Sequence, residues 1–179
     1  IKNYIIGSGY LSKELYKEIP NSKIFTSKSF LNQIKLINKS KKKFNLIINA
    51  FYSSRKLNNL HSYKMFVDKS LSDVANILDK VNSRKIRKIL YTSSSSVYGS
   101  INDKINLSDQ NNRYIYSSAK LSGEMLIKNF FSKKKIKLDI CRIFNIYGQN
   151  DNFSIISKLS SVNNSDKKKI IIYNNGQSI

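Results

Sequence analysis

Five short runs rich in β-branched and apolar residues punctuate the chain, at Asn3–Ile6, Lys23–Thr26, Asn45–Asn49, Lys88–Ser93 and Leu138–Ile143, and each reads as a strand. Between them apolar residues recur three and four apart, the spacing of one helix face. Leu11, Leu15 and Ile19 mark a first helix, and Phe30, Ile34 and Ile37 a second. Val67, Leu71, Val74, Ile77 and Leu78 mark a third, and Leu121, Met125, Leu126 and Phe130 a fourth. Leu46-Ile47-Ile48 is continuously apolar, as expected of a strand covered by helices on both faces. The alternation predicts an α/β fold, a doubly wound parallel sheet of Rossmann-like form over residues 1–148. From Gln149 the pattern changes to an Asn/Asp/Ser-rich stretch, a helix around Ile155–Val162 and a strand at Ile170–Tyr173. Residues 149–179 are therefore expected to begin a smaller C-terminal lobe that is incomplete in this sequence.

A length of 179 residues with 40% apolar content is enough for one buried core. No stretch approaches the roughly 18 consecutive apolar residues that span a bilayer, and the opening Ile1–Ile6 is too short for a signal-peptide core. A cytoplasmic protein without membrane contact is expected. A single cysteine, Cys141, excludes an intrachain disulfide, and with His61 the lone histidine no His/Cys metal cluster is expected. Cys141 reads as a small buried apolar residue.

The net charge of +21 invites a nucleic-acid reading. The cations are overwhelmingly lysine, however, and Lys, Asn, Ile and Ser are over-used along the whole chain, so a nucleic-acid partner is disfavoured. The densest runs, Lys41-Lys42-Lys43, Arg84 to Lys88 and Lys133-Lys134-Lys135, each precede a strand. In a parallel sheet they are expected to cap helix C-termini at the edge opposite the ligand crevice.

The candidate chemistry lies at the other edge. Gly7-Ser8-Gly9-Tyr10-Leu11-Ser12 follows the first strand and opens the first helix, fitting G-x-G-x-x-G except at its last place. Gly7 would make the tight turn, Gly9 would admit a pyrophosphate to the backbone, and Ser12 stands where the third glycine allows close packing. A dinucleotide-binding turn of this kind points to NAD or NADP. NAD sites place an acid about 20 residues further on, but no acidic residue occurs between Glu18 and Asp68. Thr26-Ser27-Lys28 ends the second strand instead, and a hydroxyl with a cation suits a 2′-phosphate, favouring NADP.

Tyr116 and Lys120 are four apart at the start of the fourth helix and share one face. A nearby ammonium is expected to lower the phenol's pKa towards that of a useful acid/base. The fourth strand ends in Tyr91-Thr92-Ser93-Ser94-Ser95-Ser96-Val97-Tyr98-Gly99, which would carry the Ser94 hydroxyl to the same substrate oxygen.

In this order, the motifs resemble the extended short-chain dehydrogenase/reductases, the NAD-dependent epimerase/dehydratase family. The resemblance continues in Asn49-Ala50 and in Cys141-Arg142-Ile143-Phe144-Asn145-Ile146-Tyr147-Gly148, covers nearly the whole chain and is strongest over Ile89–Gly148. It implies an enzyme acting on a nucleotide-linked sugar, with Ser94, Tyr116 and Lys120 catalytic and Lys120 also on the nicotinamide ribose. It implies cofactor contacts at Gly7, Gly9, Tyr10, Leu11, Ser27, Lys28, Asn49 and Ala50, and sugar-nucleotide contacts at Ser94, Ser96 and Asn145, with a homodimer as the expected form. The dehydratases of the family carry Asp-Glu where this chain has Ser95-Ser96, so dehydration is disfavoured. Ser70 falls where many members have a cofactor-contacting asparagine. The single helix between the second and third strands is similar to sugar-nucleotide ketoreductases, whereas S-S-x-x-V-Y-G and N-x-Y-G are more similar to the 4-epimerases. An epimerase, a ketoreductase and a non-catalytic NAD(P)-binding regulator thus stand as alternatives.

Overall fold

A computed structural model describes residues 1–49, 63–99, 112–148, 151 and 153–160. Ala50, His61 and the strand expected at Ile170–Tyr173 lie outside the described residues. Five strands form one sheet: β1 (Lys2–Ile6), β2 (Ser22–Phe25), β3 (Phe44–Ile48), β4 (Ile86–Ser94) and β5 (Lys137–Ile143). Every pairing is parallel and the order is β2-β1-β3-β4-β5. The order reverses between β1 and β3, and in a doubly wound sheet the crevice outside the carboxyl ends at such a switch is where ligands bind.

The crossovers are α1 (Tyr10–Glu18), α2 (Ser27–Lys39), a helical rod of α3 (Tyr63–Val67) and α4 (Asp73–Lys80) joined through a π-turn at Asp68–Ser72, and α5 (Asn112–Phe131); α6 (Ile155–Ser160) follows β5. Among the described residues no helix is long and apolar enough to cross a membrane. Helix α2 starts where it does because Thr26 and Ser29 form a reciprocal capping box. Ile6, Leu46, Ile48 and Ile89 are fully buried in the sheet centre, with Phe30, Val74 and Ile77 packed over them from the helices.

Helix α5 approaches β4 closely because Gly123 has no side chain: a Cβ there would lie 2.2 Å from the Tyr91 hydroxyl. The buried face of α5 is Ala119, Lys120, Gly123, Glu124, Ile127 and Phe131. The expected inward stripe is thus corrected, since Leu121, Met125 and Leu126 are exposed. On the third helix Val67 is likewise exposed, and Phe66 points inward in its place. Cys141 is exposed as well, contrary to expectation, because β5 is the last strand of the described sheet and has no neighbour on its far side. Of the lysine runs, Lys41 to Lys43 are exposed, and Lys134 donates to the Phe130 carbonyl at the end of α5, the cap its position predicted.

Candidate active site

The ends of β3, β4 and β5 meet at one crevice of about 850 Å³ at the carboxyl edge of the sheet. Leu11, Asn49, Thr92, Ser93, Ser94, Tyr116 and Lys120 form one wall; residues 143–147 of β5 and its exit, with Phe153–Ile156, form the other. Six of the residues singled out from sequence, Leu11, Asn49, Ser94, Tyr116, Lys120 and Asn145, therefore meet in one cavity. Gly7, Gly9, Tyr10, Ser27, Lys28 and Ser96 stand outside its lining.

The first turn is shaped by Gly7. Its φ is +131°, and a Cβ there would lie 2.6 Å from the Asn49 carbonyl oxygen and 2.9 Å from Ser12 Oγ. Backbone bonds fix it on both sides, from Gly7 N to the Phe25 carbonyl (2.7 Å) and from Asn49 N to the Ile6 carbonyl (2.7 Å). Gly9 is the opposite case, with no atom within 4 Å of where a Cβ would sit, so its bareness leaves space on the open side of the turn. Gly9 is also the N-cap of α1 and gives no side-chain cap. Tyr10 lies edge-on to Phe153 with ring centroids 5.1 Å apart, joining the turn to the opposite wall. Ser27 is buried and Lys28 exposed in the first turn of α2.

Ser12 does more than replace a small residue. Fully buried, its hydroxyl accepts from Asn49 Nδ2 (2.7 Å), while Thr92 Oγ1 donates to Asn49 Oδ1 (2.6 Å). Thr92 in turn receives Lys120 Nζ on its carbonyl (2.8 Å). A polar chain thus runs from the first turn through β3 and β4 to the catalytic-type lysine, and Ser12 and Thr92 are parts of it that motif reading did not assign.

Lys120 is 96% buried beneath the Tyr91 and Tyr116 rings, its Nζ 5.9 Å from the Tyr116 centroid. Burial pulls its pKa down to about 7, and the Glu124 carboxylate one turn on opposes the fall. Burial raises Tyr116 above the ordinary tyrosine value, and a hydrogen bond with Ser94 draws it only partly back. The expectation that the pair lowers the Tyr116 pKa is corrected accordingly: desolvation by burial outweighs the Ser94 hydrogen bond, and the side chain stands as a neutral phenol at pH 7. Such a group is poised to donate a proton. Ser96 supports Ser94, its N–H and Oγ reaching Ser94 Oγ at 3.2 and 2.9 Å. Asn145 is exposed at the mouth of the crevice. Ser70 is buried in the π-turn, away from the lining.

A carboxylate missed in the sequence completes the acid–base face of α5. Glu124 is fully buried, four residues beyond Lys120, and Arg142 grips it with Nε on Oε1 and Nη2 on Oε2, both at 3.0 Å. Its pKa is lowered, chiefly by that guanidinium. The signals were present: an acid eight residues after Tyr116 on the same helical face, and one of only five arginines in a lysine-rich chain placed within an apolar strand.

The sequence profile of the NAD dependent epimerase/dehydratase family matches residues 12–179. Among solved structures, MoeE5 in complex with UDP-glucose and NAD aligns with a TM-score of 0.59 at 17% identity, over 83% of this chain and 56% of that one. A UDP-glucose 4-epimerase aligns with a TM-score of 0.61 at 14% identity, over 83% and 53%. A GDP-D-glycero-L-gluco-heptose synthase from Campylobacter jejuni, in the presence of NADPH, aligns with a TM-score of 0.62 at 15% identity, over 86% and 50%. The chain thus spans about half the length of these structures, and at such identities the likeness shows the fold. No curated protein matches the chain.

Proposed function

We propose, for a chain that belongs to the NAD dependent epimerase/dehydratase family, that it binds NAD(P) and carries out oxidoreduction or epimerisation at a carbon of a nucleotide-linked sugar. The observation that carries this reading is the meeting of Ser94, Tyr116, Lys120 and Asn145 in one crevice at the switch point of the sheet. The solved structures are consistent with it, since MoeE5 holds UDP-glucose and NAD and the heptose synthase was obtained with NADPH.

The residues present fit the dinucleotide. Gly9 leaves the approach to α1 open, the positive end of that helix suits a pyrophosphate, and Leu11, Asn49 and Lys120 line the same cavity as Tyr116. When bound, the nicotinamide supplies or accepts hydride at the sugar carbon. Tyr116 would move the proton at the oxygen on that carbon, Ser94 would hydrogen-bond the same oxygen, and Lys120 would hold the ribose. Asn145 contacts the sugar nucleotide at the mouth. Lys28, exposed in the first turn of α2 beside Ser27, suits a 2′-phosphate and favours NADP over NAD. Residues 1–148 form the cofactor-binding domain in this reading, and 149–179 begin the substrate side, since Ile155 and Ile156 of α6 line the same crevice as Tyr116. The outward apolar face of α5, at Leu121, Met125 and Leu126, suits contact with a second copy of the chain.

A second reading within the family is a ketoreductase, favoured by the single helix α2 between β2 and β3, a feature similar to sugar-nucleotide ketoreductases. The two separate by stoichiometry: an epimerase yields the inverted sugar with substoichiometric cofactor, whereas a reductase consumes one NAD(P)H per product. The test of the shared site is Tyr116→Phe, which deletes one hydroxyl and leaves the ring packed. Turnover of nucleotide sugars falls by about 10² to 10⁴ while cofactor affinity persists, read by steady-state assay and calorimetry. Near-normal turnover would remove the proton-transfer role and the enzymatic reading with it.

A further inference from the structure

Three separate elements must meet for the proposed chemistry: the end of β4 with Ser94, the helix α5 with Tyr116 and Lys120, and the exit of β5 with Asn145. Arg142 touches all three. It lies in β5 three residues before Asn145, and its fork is spent on the buried Glu124 of α5 through two bonds of 3.0 Å. Its guanidinium carbon also sits 4.6 Å from the Tyr98 ring centroid, at the end of the 3₁₀ turn Ser95–Tyr98 that follows Ser94. That turn is the one whose Ser96 holds Ser94 Oγ from two sides. Tyr98 then stacks on Phe144, rings 29° from parallel, and Phe144 lines the crevice beside Asn145.

We propose that Arg142 is a positioning residue that sets the three substrate-facing elements in register, through Glu124 on one side and Tyr98 on the other. This rests on Tyr116 and Ser94 acting on substrate as described above. Arg142 does not line the crevice and takes no part in proton transfer. Lysine is no substitute, because the task needs a planar fork for two carboxylate oxygens and a flat face for the tyrosine ring at once. Lys128 also faces Glu124, at 3.7 Å, but it is exposed and single-pronged.

The test uses four variants, Tyr98→Ala, Arg142→Met, Arg142→Lys and the double variant Glu124→Gln/Arg142→Met, which avoids stranding a buried carboxylate. Hydrogen exchange is followed at the amides of Ser95–Tyr98 and along α5. In Tyr98→Ala, whose side chain is 63% exposed and so tolerates removal, exchange at Ser96–Tyr98 quickens roughly tenfold and that of β1 and β3 is unchanged. With a nucleotide sugar, kcat falls about 10²-fold in Arg142→Met and in the double variant, and cofactor Kd stays within about twofold of the unmutated protein. Arg142→Lys recovers less than half of the loss, and millimolar guanidinium restores part of the kcat of Arg142→Met. Unaltered exchange and kcat in Tyr98→Ala and the double variant would overturn the proposal. If the unmutated protein turns over no nucleotide sugar, the functional reading falls on its own, and the exchange arm still decides whether Arg142 holds these elements together.

Discussion

The two halves of the crevice are built from different materials. On the β1–β3 side the shape is set by backbone: a positive φ at Gly7, two main-chain bonds of 2.7 Å, and the neutral pair Ser12–Asn49. On the β4–β5 side it is set by ionisable groups taken out of water, Lys120, Glu124 and Tyr116, with Arg142 as counter-charge. Neutral hydrogen bonds and glycine geometry do not titrate, so the first half keeps its form across pH. Buried charges bring desolvation that a partner must offset, so the second half answers to pH and to single-charge changes. Binding a dinucleotide calls for a fixed cradle; moving a proton calls for groups whose charge can change.

The sharpest way to break the first half is steric. Gly7→Ala places a methyl group against the Asn49 carbonyl and forces an L-residue to a φ of +131°, which costs at least about 2 kcal/mol. Chemical denaturation will show that loss, and cofactor binding will vanish with it, whereas Gly9→Ala, which meets no protein atom, leaves stability near that of the unmutated chain. Equal stability losses at both positions would refute the distinction.

The second half is tested with protons. With a pKa of about 7 in the free protein, Lys120 is mostly neutral at pH 8. If the cofactor ribose engages its ammonium, binding at pH 8 takes up close to one proton and at pH 6 almost none, read by calorimetry in buffers of different ionisation enthalpy. Lys120→Met abolishes the uptake. The sign for stability runs the other way from an ion pair: a lysine whose folded pKa lies below its unfolded value of 10.5 burdens the fold fully below pH 7, and the burden lifts as pH rises from 7 to 10.5. Lys120→Met therefore stabilises the protein more at pH 6 than at pH 9.

The smallest effect is expected at the rim. Lys28→Asp replaces an exposed cation beside Ser27 with an anion, and weakens NADP by about tenfold more than NAD. Equal losses for the two cofactors would mean that Lys28 contributes nothing to the choice between them.

Much of this was legible in the chain itself, and for a physical reason. Strands buried on both faces must be continuous apolar runs, and a strand-to-helix turn that must be tight must carry glycine, so β3 and Gly7 announce themselves. Tyr116 and Lys120 were legible because a four-residue spacing on a helix fixes a common face. The orientation of α5 was not, because its buried face holds Lys120, Gly123 and Glu124 while Leu121, Met125 and Leu126 look outward. A periodicity argument assumes that apolar residues seek the core, and it fails where the core face is reserved for chemistry. Cys141 was misjudged because strand order, unlike strand existence, is not written in local pattern. The direction of the Tyr116 shift depended on how deeply the pair is buried, which spacing alone does not reveal.

The order β2-β1-β3 also bears on how the molecule assembles as it is made. Both neighbours of β1 are complete by Ile48, so every pairing that frames Gly7 is available once that residue has been made. Helix α5 cannot dock until β4 is in place, and Arg142 reaches Glu124 only after β5 has formed. On a ribosome, where the N-terminal part is released first, the cradle is laid down before the proton-handling helix leaves the exit tunnel. A nascent chain arrested before Asn112 therefore carries the residues of the turn without any of the acid–base side chains that α5 brings to the crevice.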